Sequence, residues 1–173
     1  MITTDRQDEI LTQVDLQNKV IGPIERGIAH NSHNLIYRTV YILIRNDRDE
    51  ILIQKRSSTK DLYPNCWDLS VGGHVIYGDS YEQTAVRELE EELGIYTTSD
   101  ELFLKGQVLV VLPNSREFFN VYEYKLKESD LIISETTEVM ETMWVSLASL
   151  KESMESKTLN WYERPIQTIQ ALY

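Results

Sequence analysis

Gly72 to Ile95 reads GGHVIYGDSYEQTAVRELEEELGI, and six of its residues are carboxylates: Asp79, Glu82, Glu88, Glu90, Glu91 and Glu92. The middle of the stretch predicts a helix. Tyr81, Ala85, Leu89 and Leu93 recur every fourth residue and form one apolar stripe. Asp79 or Ser80 suits the N-cap, with Glu82 or Gln83 three residues on as capping-box partner. Gly94 suits the position just past the end. On such a helix Glu88, Glu91 and Glu92 stand at i, i+3 and i+4 and share a face. Like charges at that spacing cost about 0.2–0.5 kcal/mol per pair, and Arg87 offsets part of this through Glu91. One reading is a solvated acidic face. The other is a hard-cation site, since Mg²⁺ takes oxygen ligands and retains several waters. Gly72-Gly73 would then permit unusual backbone angles and close approach of a ligand, and could add a carbonyl ligand.

Outward from this stretch, EILTQVDLQNKVIGPIER (Glu9–Arg26) predicts a short hairpin. Tyr37 to Ile44 is rich in β-branched and aromatic residues. It predicts a strand that turns at NDRDE and returns through Ile51 to Ile53. Residues 61–78 read as loop around a short WDLSV strand. FLKGQVLVVL, EFFNVYEYKL and EVMETMWVSL predict three further strands, and two helices are expected near 146–156 and 161–171. Mixed strands with few helices point to an α/β or α+β sandwich with helices covering a central sheet.

The 173 residues are expected to form one domain, 1–173. A net charge of −11 argues against a nucleic-acid polymer or an anionic membrane as partner, since those call for a basic face. It leaves room for a small anionic substrate held by a metal and a few cations. Cys66 is the single cysteine, so no intrachain disulfide can form, and a cytoplasmic location is expected. No apolar run reaches membrane-span length. Homodimerisation is left open.

The stretch resembles the Nudix box over residues 73–95. The pattern has a Gly, then five residues, a Glu, seven residues, and Arg-Glu-apolar-any-Glu-Glu-any-Gly-apolar. Gly73 and Arg87-Glu88-Leu89-Glu90-Glu91-Glu92-Leu93-Gly94-Ile95 fit it, and Asp79 stands where the family has Glu. The resemblance implies an α/β/α sandwich with a mixed central sheet and the box as loop-helix-loop. It implies Mg²⁺ or Mn²⁺ held by Glu88, Glu91 and Glu92 with the Gly72 carbonyl, and Arg87 orienting the glutamates. The activity implied is hydrolysis of a diphosphate linkage in a small molecule, a nucleoside diphosphate derivative being expected.

LIQKRSSTKDLYPNCWDLSVGGH and EILTQVDLQNKVIG further resemble the isopentenyl diphosphate isomerase branch, and the likeness spans most of residues 8–147. By position, the isomerase Cys falls at Val71, two metal histidines at His30 and His74, a third at Tyr37, and a strand Glu near Glu117. Val71 has no ionisable group, so the proton-transfer pair is broken. Isomerase activity and a non-catalytic ligand-binding domain stand as alternatives. Arg56 and Lys60 match the residues that hold the isomerase substrate's diphosphate, although Lys55, Arg56 and Lys60 also suit simple protection of an edge strand. His74 is a candidate phosphate or metal contact, with packing as its other reading. Glu88 is the first candidate for the base; Glu138, Glu135 and Glu117 are others. Cys66 is expected to be a packing residue. Tyr37, Tyr63, Trp67, Phe119 and Tyr122 are candidates to stack on a base or to fill the core.

Overall fold

The chain's computed structural model describes residues 6–130, 132 and 138–173. Strand β3 (Ile36–Arg45) organises it. Its alternation sends Val40, Ile42 and Ile44 to one face and Tyr41 and Leu43 to the other, and all five are buried. β8 (Arg116–Lys125) pairs with it in parallel, from Ile36 opposite Arg116 to Arg45 opposite Lys125. β7 (Phe103–Val111) extends the sheet beyond β8. β1 (Ile10–Val14) pairs with β3 and, through the expected hairpin, with β2 (Val20–Glu25). β4 (Ile51–Arg56) returns from β3 and pairs with β5 (Trp67–Leu69) and β9 (Val139–Val145). β6 (Val71–His74) runs antiparallel to the middle of β3, from Thr39 opposite His74 to Ile42 opposite Val71.

Helices cover both faces. Helix α2 (Tyr81–Leu93) buries Ala85, Leu89 and Leu93 against Val40, Ile42 and Ile44. Its start is fixed by a capping box in which Ser80 Oγ accepts from Gln83 N and Gln83 Oε1 accepts from Ser80 N. It stops at Gly94, whose φ of 68° is left-handed. Helices α3 (Leu147–Ser156) and α4 (Glu163–Leu172) pack Leu150, Met154 and Ile169 on the Tyr41 and Leu43 face. The expected sandwich with a mixed central sheet is present. The short helix α1 (Arg26–Ala29) follows β2 and was not expected from the sequence.

The expected short strand in WDLSV is present as β5, and the expected loop around it is corrected after Ser70, because Gly72 and Gly73 lie within β6 and pair with Tyr41 and Val40. Their value is room rather than unusual angles; Gly78 and Gly94 are the glycines with positive φ. A Cβ on Gly72 would lie 2.8 Å from the Tyr41 ring, and one on Gly73 would land on the Glu88 carboxyl. The candidate stacking residues Tyr37, Trp67, Phe119 and Tyr122 are all core residues, 0–6% exposed. Tyr63 is half-buried and stacks on Tyr162. Cys66 is half-buried too, and its sulfur accepts from Asn160 Nδ2 at 3.3 Å.

Candidate active site

α2 presses its carboxylate face against β6, and the junction opens into a cleft of about 290 Å³. Gly72, His74, Arg87, Glu88, Glu91 and Glu92 line it from β6 and α2. Arg56 enters from the end of β4, Lys60 from the loop that follows, and Glu138 from the residue before β9. The fold thus brings these nine residues, distant in sequence, to one cavity. Glu117 does not line it. That side chain is fully buried, accepts from Arg164 Nη2 at 2.8 Å and Ser115 Oγ at 2.9 Å, and is removed from the candidates for the base. Glu135 lies outside the described residues.

Glu88 and Glu92 are only 9% and 5% exposed. Glu92 Oε2 accepts from Gln54 Nε2 at 2.8 Å, and its Oε1 accepts from Gly72 N at 3.4 Å. Arg87 Nη1 lies 2.9 Å from both Glu88 Oε1 and Glu91 Oε2, so one guanidinium bridges two of the three glutamates. Burial pushes the Glu88 carboxyl up to about 8; Arg87 opposes this, while Glu91, Glu138 and Glu9 add to it. Burial, then repulsion from Glu88 and Glu138, holds Glu92 well above the usual carboxylate range.

This donor set fits a hard divalent cation. Burial makes these two carboxylates resist ionising despite the guanidinium beside Glu88, and a cation would add the charge that offsets it. Among the described residues, no three His, Cys, Asp or Glu side chains form a ready-made metal site. The Arg87 bridge accounts for part of this, since Glu88 and Glu91 already share its guanidinium.

Three basic residues also line the cleft, each paired with an acid. Arg56 donates to the Leu62 carbonyl at 3.0 Å and lies 3.4 Å from Asp68 Oδ2. Lys60 Nζ lies 3.2 Å from Glu138 Oε2, which ties a candidate substrate contact to a candidate base. Arg26, from α1, joins them and pairs with Asp61 at 3.3 Å and Glu9 at 3.5 Å. His74 and His30 meet through their Nε2 atoms at 3.0 Å. Burial, then Arg26, lowers His30 to about 4; burial, then His30, lowers His74 well below its ordinary value. Both rings are therefore neutral at neutral pH, and one donates to the other. Glu9, Arg26, Asp68 and Arg164 also line the cleft. None was singled out in the sequence, because each comes from a separate element and carries no local motif.

Residues 36–166 match the NUDIX domain model, and the chain belongs to the Nudix family. It is 35% identical over 118 residues to an uncharacterized Nudix hydrolase of Nostoc, covering 68% of this chain and 70% of that one. It is 41% identical over 87 residues to an uncharacterized Nudix hydrolase of Pseudomonas aeruginosa, covering 50% of this chain and 51% of that one. The chain thus spans about half the length of the Pseudomonas relative. The crystal structure of DR0079 from Deinococcus radiodurans superposes with a TM-score of 0.77 at 26% identity, covering 95% of this chain and 99% of that one. No helix among the described residues is long and apolar enough to cross a membrane.

Proposed function

We propose that the chain is a divalent-metal-dependent hydrolase of a diphosphate linkage in a small molecule, a nucleoside diphosphate derivative being the expected class. The observation that carries this reading is the polarity of the cleft. Buried glutamates Glu88 and Glu92 line it together with Arg26, Arg56 and Lys60. A diphosphate needs both, a cation beside the carboxylates and basic side chains for its remaining oxygens.

Mg²⁺ or Mn²⁺ held by Glu88, Glu91, Glu92 and the Gly72 carbonyl would supply charge neutralisation on the phosphoryl oxygens and a lowered water pKa. Arg56 and Lys60 bind and orient the diphosphate, Arg56 as a planar fork and Lys60 as a point charge. Arg87 holds Glu88 and Glu91 in position. Glu88 Oε takes the proton of the attacking water; Glu138, next to Lys60, is the second candidate. His74 contributes a neutral ring to the cleft, suited to a hydrogen bond with substrate rather than to a charge pair.

The isomerase alternative receives less support. Val71, at the position of the isomerase Cys, is fully buried in the α2 core and carries no proton to transfer. The test is phosphate or nucleotide release across a panel of nucleoside diphosphate derivatives, with and without Mg²⁺. Metal-dependent release supports the reading. No release from any member with either Mg²⁺ or Mn²⁺ would overturn it in favour of a binding domain.

A further inference from the structure

The cleft has a wall that the glutamates and the diphosphate do not account for. Arg164, in the first turn of α4, lines it with a side chain only 9% exposed. Its Nη2 donates to Glu117 at 2.8 Å, whereas its Nε is buried without a hydrogen-bond partner. The guanidinium lies over the rings of Tyr162, Phe119 and Tyr63 at 5.6–5.9 Å. Aromatic faces stabilise the cation, but they are poor acceptors for that N–H. Asp68, also on this wall and 3% exposed, accepts from Tyr41 OH at 2.7 Å and from Tyr162 OH. A hydrocarbon group placed here would lie against a guanidinium and offer it no acceptor. The Arg164 Nε is enclosed by protein, but the residue lines the cleft, and a group bearing acceptor oxygens would answer its guanidinium there.

We propose that Arg164 is a specificity-determining residue: it binds the group attached to the diphosphate and selects one that carries acceptor oxygens, as a sugar does, over a hydrocarbon chain. This rests on the diphosphate reading above. Arg164 is offered as a substrate contact, and no reacting atom is assigned to it.

The test is equilibrium binding to the full chain in Mg²⁺ with three non-hydrolysable probes. These are methylenediphosphonate, α,β-methylene-ADP, and the geranyl ester of methylenediphosphonate. Arg164→Met should weaken α,β-methylene-ADP at least tenfold. Its loss on methylenediphosphonate should stay under twofold, and the geranyl probe should bind no worse. Arg164→Lys keeps the charge without the fork and should lose at least fivefold on α,β-methylene-ADP alone; it carries the test if the Met variant does not fold. An equal loss on all three probes, or unchanged binding of α,β-methylene-ADP by the folded variants, overturns the assignment while leaving the diphosphate reading intact. Failure of the parent to bind any of the three in Mg²⁺ overturns the diphosphate reading, and the Arg164 assignment with it.

Discussion

Replacing Glu88 by Gln should make the metal-free protein more stable, and only above a certain pH. Glu88 is 9% exposed, and its carboxyl is raised from an ordinary 4.5 to about 8, first by burial and then by the charges of Glu91, Glu138 and Glu9. Between these values the folded chain holds a proton that the unfolded chain has released. Stability must therefore fall as pH rises from about 4.5 to about 8. By pH 8 the accumulated penalty from this one group is about 4 kcal/mol. Gln fills nearly the same space, can still accept from Arg87, and does not titrate. Urea unfolding of parent and Glu88→Gln in chelator at pH 4.5, 6, 7 and 8 measures the difference directly. The two should be close at pH 4.5, and the variant should lead by several kcal/mol at pH 8. Adding Mn²⁺ should stabilise the parent most at high pH, where the carboxylate is free to bind it. Parallel pH curves for the two proteins would refute the argument that burial leaves this carboxylate in want of a cation.

Gly73→Ala should place its Cβ on the Glu88 carboxyl, lower stability by about 1–3 kcal/mol and reduce turnover at least tenfold; unchanged melting and kinetics would contradict the close approach. Arg56→Ala and Lys60→Ala should each lower kcat/KM without changing Mg²⁺ affinity in the absence of substrate. Arg56→Ala should be the worse at about 2 kcal/mol, as for a charge-assisted hydrogen bond. It should also lower the melting temperature, because Arg56 ties the Leu62 carbonyl to Asp68. The purified protein should not interconvert isopentenyl and dimethylallyl diphosphate, since Val71 is buried and has no proton to move; detectable exchange by NMR in D₂O would bring the isomerase reading back.

Features written in contiguous residues are legible in the sequence. The apolar repeat of Tyr81, Ala85, Leu89 and Leu93, with Ser80, Gln83 and Gly94 at the ends, defined α2 because helix chemistry is local. The strand pattern of β3 and the two C-terminal helices were legible for the same reason. The double glycine was misread as loop, because a strand glycine that makes room for Tyr41 and Glu88 looks in sequence like a flexible one. The aromatic residues were ambiguous, since a ring that fills the core and a ring that stacks on a ligand have the same composition. Arg164 and Asp68 left no trace. One comes from α4 and the other from β5, and only the packing of α4 on the sheet sets them in the same cavity as Glu88.

The carboxylate face of α2 as a divalent-cation site is the claim on which the rest depends, and Mn²⁺ titration followed by electron paramagnetic resonance tests it without knowledge of the substrate. At pH 7.5 the parent should remove the free Mn²⁺ signal saturably and release protons into a weakly buffered solution, because burial raises Glu88 to about 8 and holds Glu92 above the usual carboxylate range. Glu92→Gln, with its fold intact by circular dichroism, should bind at least tenfold more weakly. Parent and Glu92→Gln titrating alike, with no proton release from either, would contradict the account.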